Sequence, residues 1–370
     1  MIVGIMKETR TDENRVAMTP AGVEVMRQNG HTVLVEKASG AASGFEDEAY
    51  LKMGAEIIGA PEEILKRSEM IMRVRDPRPL ESSLPRDGQI YFAYLHLASS
   101  EQLSRALIES GATCVAYETI QKADQSLPLL KPMGEVAGPM AVHEGAKYLE
   151  MEHGGHGILL GGVPGVDPGT VVILGGGVVG TNAAKIACGL GAKVYVLDKD
   201  LDRLRYLSDV MPANCFCLYS SPATIRDLIT KADVVVGAVL LPGARTPTLV
   251  TGEMLKTMKK GAVLVDVSID QGGCFETSRE TTHTNPTYTM EGVVHYAVSN
   301  MPGALPRTAT VALTNATLPY AVEIANKGWK RAMMENPEIK AGANIVKGKV
   351  TYKAVAHTFG LEYTPIDELL

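Results

Sequence analysis

The residues with the plainest chemistry are Gly175-Gly176-Gly177-Val178-Val179-Gly180, a G-x-G-x-x-G in which Gly175 makes the turn, Gly177 admits a pyrophosphate and Gly180 lets helix and strand approach. The pattern alone is weak: glycine is 37 of 370 residues, and roughly 0.4 chance matches are expected in such a chain. Its context carries it. An apolar strand precedes the turn and a small-residue helix follows. Asp198 closes the next strand 18 residues beyond Gly180, where a carboxylate binds a ribose 2′-hydroxyl and repels a 2′-phosphate. The expectation is a dinucleotide site for NAD over NADP, with Lys199 and Arg203 as nearby cations that temper the preference.

Three further side chains stand at addresses suited to chemistry. Arg15, in Asp12-Glu13-Asn14-Arg15-Val16-Ala17, can grip a carboxylate with its planar fork, and its bland alternative is a surface arginine paired with Asp12 or Glu13. His96 follows the apolar run Ile90–Leu95, at the carboxyl end of an expected parallel strand, where ligands gather in open α/β sheets. It reads either as a general acid/base or as a structural histidine. Asp270 ends Val263–Asp270 and enters Gln271-Gly272-Gly273, a strand end beside a flexible loop, whereas Asp266 inside the strand is expected to bond nearby backbone. His143, His153, His156 and His283 have no HExxH-like spacing, so no metal site is expected.

These residues need strands to hold them. Buried strands are expected at Ile2–Ile5, Thr32–Glu36, Met70–Val74, Gln89–Ala93 and Thr113–Ala116, with a helix opened by Thr19-Pro20 and closed by Asn29-Gly30. A glycine- and proline-rich stretch from Gly154 to Gly169 reads as a mobile connection. After it come a strand Thr170–Leu174, a helix Val178–Leu190, a strand Lys193–Leu197, and strands Asp233–Val239, Ala262–Val267 and Val293–Val298. A late helix over about 314–332, with no sheet of its own, is expected to return to the first domain. The fold class is α/β: two Rossmann-like domains, each a parallel sheet covered by helices, with a cleft between them. Residues 1–128 and 306–370 form the substrate domain and 129–305 the NAD-binding domain.

Composition agrees with this class and excludes others. The chain is 45% hydrophobic and 21% charged, enough apolar matter for more than one core. Its net charge of −6 opposes nucleic-acid binding. No run approaches the ~20 apolar residues of a membrane helix, and the start has no signal-peptide pattern. Five cysteines without a CxxC pair suit a reducing cytoplasm, and Cys215 and Cys217 read as alternating residues of a short strand.

The motifs together resemble the alanine dehydrogenase/transhydrogenase family over essentially the whole chain. The matching residues are Lys7-Glu8 with Glu13-Asn14-Arg15-Val16-Ala17, Tyr94-Leu95-His96-Leu97-Ala98, and Gly161-Gly162-Val163-Pro164-Gly165-Val166. They continue through Gly237-Ala238-Val239-Leu240 with Pro242-Gly243-Ala244, Ile269-Asp270-Gln271-Gly272-Gly273, Asn300-Met301-Pro302-Gly303 and Leu313-Thr314-Asn315-Ala316-Thr317. The resemblance implies NAD-dependent, reversible oxidative deamination of L-alanine to pyruvate and ammonium, in a cytoplasmic homohexamer. It implies that Arg15 and Arg75 bind substrate and that His96 and Asp270 are the catalytic pair. It implies cofactor contacts at Gly134, Gly175, Gly177, Val178, Val179, Gly180, Asp198, Arg203, Ser220, Val239, Leu240, Val267, Ser268, Ile269, Asp270, Arg279, Val298, Ser299, Asn300 and Met301.

Two motifs depart from the family pattern. Arg73-Val74-Arg75-Asp76-Pro77 stands where the family has Lys-Val-Lys-Glu-Pro, which replaces a point charge at residue 75 by a bulkier planar fork. Gly134 and Pro139 stand where the family usually has serine and arginine. The rival readings are a dehydrogenase of the same fold acting on another 2-amino acid or amine because of Arg75, a non-catalytic NAD-binding subunit like that of transhydrogenase, and an NAD sensor without turnover.

Overall fold

The computed structural model describes residues 1–77, 85–240 and 246–370. The chain divides into two compact units, Met1–Met133 with Leu305–Leu370, and Gly134–Ala304. The strands in chain order are β1 (Ile2–Ile5), β2 (Thr32–Glu36), β3 (Glu56–Ile58), β4 (Met70–Met72), β5 (Ile90–Ala93), β6 (Thr113–Ala116), β7 (Thr170–Leu174) and β8 (Lys193–Asp198). They continue with β9 (Cys215–Tyr219), β10 (Val234–Gly237), β11 (Val263–Asp266), β12 (Thr287–Met290), β13 (Val293–Tyr296), β14 (Ala343–Val346) and β15 (Lys349–Val350).

In the first unit the sheet order is β15-β14-β6-β5-β4-β1-β2-β3, parallel except for the β14 and β15 edge. Strands such as Ile-Val-Gly-Ile and Ile-Tyr-Phe-Ala are almost continuously apolar because helices cover both faces of a parallel sheet. The helix Pro20–Gln28 starts as its sequence requires: the Thr19 hydroxyl accepts the Gly22 N–H at 3.3 Å, and Gly30 takes φ +81° just past the end. Helix Pro306–Glu335 buries Ala309, Leu313, Ala321 and Ile324 in this unit's core and breaks stride at Gly328, where φ is +73°. The returning segment is not without strands, as the sequence suggested. It adds β14, Ala-Asn-Ile-Val, whose apolar run is interrupted by the buried Asn344, and β15, of only two residues.

In the second unit the order is β12-β13-β11-β10-β7-β8-β9. Without β12, an antiparallel edge strand, this is the doubly wound order 3-2-1-4-5-6 of a dinucleotide-binding fold, with its reversal between β7 and β10. The stretch from Gly154 to Gly169 lies wholly inside this unit and is not a connection between domains. Its glycines serve close approach: a Cβ on Gly155 would stand 2.2 Å from the Leu149 carbonyl carbon, and one on Gly161 2.3 Å from the Leu190 oxygen. Backbone bonds from Gly157 to Leu149 (2.8 Å) and Gly169 to Leu160 (2.9 Å) pin it. Among the described residues no helix is long and apolar enough to cross a membrane.

Candidate functional site

The carboxyl edge of the first sheet gathers charge. The exits of β1, β4, β5 and β6, which lie side by side, carry Glu8, Arg73 with Arg75, His96, and Glu118. The strand order reverses between β1 and β4, the crevice where ligands bind in such folds. Glu8 spans that reversal: its carboxylate accepts the Val74 N–H at 2.7 Å and the Arg75 N–H at 3.4 Å. Burial pushes the Glu8 pKa up to about 7, although Arg73 and Arg15 pull it down.

Arg15 is 3% exposed and is no surface arginine. Its Nε and Nη2 grip both oxygens of Glu13 at 2.7 and 2.5 Å, and its Nη1 lies 3.0 Å from the Met133 sulfur. Of the two surface partners the sequence offered, Asp12 and Glu13, it is Glu13 that pairs, and the pair is buried; fork-to-carboxylate pairing fixes the plane of the guanidinium. Arg75 is partly exposed and pairs through Nε with Asp76 at 3.5 Å, while Asp76 is also held by Arg10. His96 is exposed and sits in the left-handed region with φ 47° and ψ 37°, rare for a residue with a Cβ. Its N–H donates to Glu118 at 2.7 Å, and its ring centroid is 6.0 Å from that of Tyr94.

In the second unit the exits of β7, β8 and β10 form the expected phosphate cradle. Gly175 has φ +106°, and a Cβ there would meet the Ala238 oxygen at 2.6 Å. A Cβ on Gly180 would stand 1.8 Å from the Gly175 oxygen, so only glycine allows that helix to pack. A Cβ on Gly177 would meet nothing within 4 Å, so open space lies beside the start of helix Val178–Gly189, whose bare N-terminus suits a diphosphate. Asp198 takes the Gly176 N–H at 2.6 Å on one oxygen and the Asp200 N–H at 2.9 Å on the other. These bonds aim a carboxylate beside the turn, as a ribose diol requires. Arg203 is spent on the turn: Nε donates to the Gly176 carbonyl and Nη2 to the Thr181 hydroxyl, both at 2.5 Å. It braces the glycines and is thereby held back from a 2′-phosphate. The residues present therefore fit NAD.

The remaining sequence candidates lie in this same unit. Ser220 follows β9 and donates its N–H to the Asp198 carbonyl at 2.8 Å. Ser268 Oγ donates to the Val239 carbonyl at 2.7 Å, tying the β11 exit, with Val267 and Ile269, to that of β10. Leu240 is exposed, and the neighbouring Pro242-Gly243-Ala244 motif lies outside the described residues. Asp270 is exposed in the turn Ile269–Gln271 and accepts the Asn300 N–H at 3.3 Å, which joins it to the Val298–Met301 segment. The Arg279 guanidinium stacks on Tyr288 at 4.1 Å. Asp266, as its strand position suggested, is buried and serves structure: it accepts the N–H groups of Ser268 and Cys274 and the Ser278 hydroxyl. Gly134 faces Val178 and Val179, where a Cβ would stand 3.1 and 3.3 Å from their methyls. Serine at this position would press on Val178, so the glycine suits its neighbours.

Sequence reasoning assigned no role to Glu8 or Glu118. Their partners are 66 and 22 residues away in the chain, and only strand adjacency reveals them. Among the described residues no group of three or more His, Cys, Asp or Glu side chains could hold a metal ion.

Comparison with known proteins agrees with this geometry. Residues 4–137 match the N-terminal domain, and residues 141–353 the C-terminal domain, of the alanine dehydrogenase/PNT family. The chain is 54% identical to an alanine dehydrogenase of Methanococcus maripaludis, with 100% of both chains covered. It is also 54% identical to one of Bacillus subtilis, covering 100% of this chain and 98% of that one. A solved L-alanine dehydrogenase superposes with TM-score 0.94 at 46% identity over 97% of this chain and 99% of the other. A transhydrogenase structure from Sinorhizobium meliloti gives 0.82 at 26% identity over 96% and 100%. A nucleotide cradle of this order, charged residues on the first sheet's carboxyl edge and full-length identity converge: the chain belongs to the alanine dehydrogenase/PNT family.

Proposed function

We propose that this chain catalyses the NAD-dependent, reversible oxidative deamination of L-alanine to pyruvate and ammonium. The observation that carries this reading is 54% identity over the full length to proteins named alanine dehydrogenase. Arg15, its plane fixed by Glu13, and Arg75 hold the substrate carboxylate and so orient the Cα–H bond. NAD, held by the glycine turn and Asp198, supplies the hydride acceptor when bound. Asp270 stabilises the amino nitrogen as it becomes an iminium. His96 takes a proton from the water that adds to the imine carbon and returns it to the departing ammonia. The net change consumes alanine, NAD and water and yields pyruvate, ammonium, NADH and a proton. Cofactor contacts from Ser220, Val239, Leu240, Val267–Asp270, Arg279, Val298–Met301 and Gly134 belong to the same reading, as do a cytoplasmic location and a homohexamer.

The test is NADH formation by the purified protein with L-alanine, beside L-serine, L-2-aminobutyrate, glycine, D-alanine and an NADP control. A strong preference for L-alanine with NAD is expected, since a methyl-sized pocket rejects larger side chains by one to several kcal/mol, on the order of 10–200-fold per methylene. Binding of NADH without turnover of alanine would overturn the substrate and point to Arg75 as the cause.

A further inference from the structure

We propose that Glu118 is a positioning residue for His96, setting the backbone that carries the imidazole without touching substrate itself. The inference rests on the reading of His96 as the proton-transfer group. Strands β5 and β6 pair in parallel up to Ala93 opposite Ala116. Beyond that point the Tyr94 N–H still reaches the Val74 carbonyl at 3.0 Å, but the Leu95 and His96 N–H groups need other acceptors. Glu118, in the turn Tyr117–Thr119 that follows β6, supplies them. Its two oxygens accept the Leu95 N–H at 3.1 and 3.2 Å, and one of them also accepts the His96 N–H at 2.7 Å.

Two features make this more than a loop contact. His96 has φ 47°, a left-handed backbone that a residue with a Cβ adopts only where its surroundings impose it, and such residues cluster at functional sites. The imposition comes from both sides. Glu118 holds the N–H, while the His96 carbonyl accepts the Ser99 hydroxyl at 2.7 Å and the Ser99 N–H at 2.9 Å. The His96 side chain is left exposed on a clamped backbone. A carboxylate suits the task because both its oxygens only accept. Glutamine, of nearly the same volume, has a single accepting oxygen and no charge, so with that oxygen on the His96 N–H its NH₂ would be turned toward the Leu95 N–H.

The experiment compares wild type with Glu118→Gln, Glu118→Asp, His96→Ala and the double variant His96→Ala/Glu118→Gln. Alanine turnover, NADH affinity and the thermal midpoint are measured for each. Expected for Glu118→Gln is a kcat about 10- to 100-fold lower, the scale of a misplaced catalytic group, with KM for alanine and NADH affinity within about threefold of wild type. Glu118→Asp, which keeps the charge, should recover part of that loss. In the His96→Ala background the added Glu118→Gln should lower kcat less than about twofold, because the group it positions is gone. Wild-type kcat in Glu118→Gln, no recovery in Glu118→Asp, or an equal loss with and without His96 would each overturn the proposal. Near-normal turnover of His96→Ala would instead defeat the proton-transfer reading, and that arm separates the two failures.

Discussion

The two carboxyl edges are built in opposite ways. In the first unit the β1, β4, β5 and β6 exits are held by carboxylates: Glu8 on Val74 and Arg75, Glu13 on Arg15, and Glu118 on Leu95 and His96. In the second unit the β7 exit is opened by the absence of side chains, with Gly175 and Gly180 allowing backbone to meet backbone and a Cβ on Gly177 facing open space, while Asp198 and Arg203 brace the turn only from Gly176. The difference follows from the ligand chemistry each edge suits. A diphosphate carries its own charge and seeks bare N–H groups at a helix N-terminus, whereas a small zwitterion must be oriented by fixed charges brought by the protein.

The glycine edge should break hardest. Gly180→Ala puts a methyl where the Gly175 oxygen already stands, 1.8 Å away. The expected cost is above about 5 kcal/mol in urea unfolding of the second unit, with loss of NADH binding. Gly177→Ala meets nothing within 4 Å, so stability should hold within about 1 kcal/mol while NADH binding weakens about tenfold or more. If both substitutions weaken binding only as much as they lower stability, the second glycine has no role in approach to the diphosphate.

On the carboxylate edge, Glu13→Ala removes the two-oxygen partner of a guanidinium that is 3% exposed. Removing one partner of a buried pair costs about 3–5 kcal/mol. Urea unfolding followed on the first unit checks this, and a change under about 1 kcal/mol would mean that Glu13 is not what offsets the burial of Arg15.

A further effect is a pH dependence. The Glu8 pKa rises from 4.5 unfolded to about 7 folded, because burial disfavours its charged form, against the pull of Arg73 and Arg15 and with the push of Glu13. A raised folded pKa stabilises below the unfolded value, and that stabilisation is lost as pH climbs through about 7. Wild type should therefore lose stability relative to Glu8→Gln between pH 5 and pH 8. Equal urea midpoint differences at the two pH values would show that Glu8 is not shifted.

Much of the fold could be read from local pattern. Ile2–Ile5, Thr32–Glu36, Thr113–Ala116 and Thr170–Leu174 are strands with the bounds their apolar runs suggested, because a run covered on both faces has sharp ends. The strands that escaped were short or partly exposed: Glu56–Ile58, Thr287–Met290, Ala343–Val346 and Lys349–Val350. The glycine-rich segment before Thr170 was misread because glycine signals freedom and close approach alike, and only its neighbours, Leu149 and Leu190, separate the two.

The sequence by itself determined the strand and helix runs, the glycine turn with its acid 18 residues on, and the addresses of Arg15, His96 and Asp270. Those features are local, since periodicity and turn chemistry act over a few residues. Only the tertiary structure decided what holds them. Which acid accepts the His96 N–H, that Glu8 bridges β1 to β4, and that Arg203 braces the turn all depend on which strands and turns lie side by side. Strand order is set by crossovers of many residues, whose entropy and packing no local window contains.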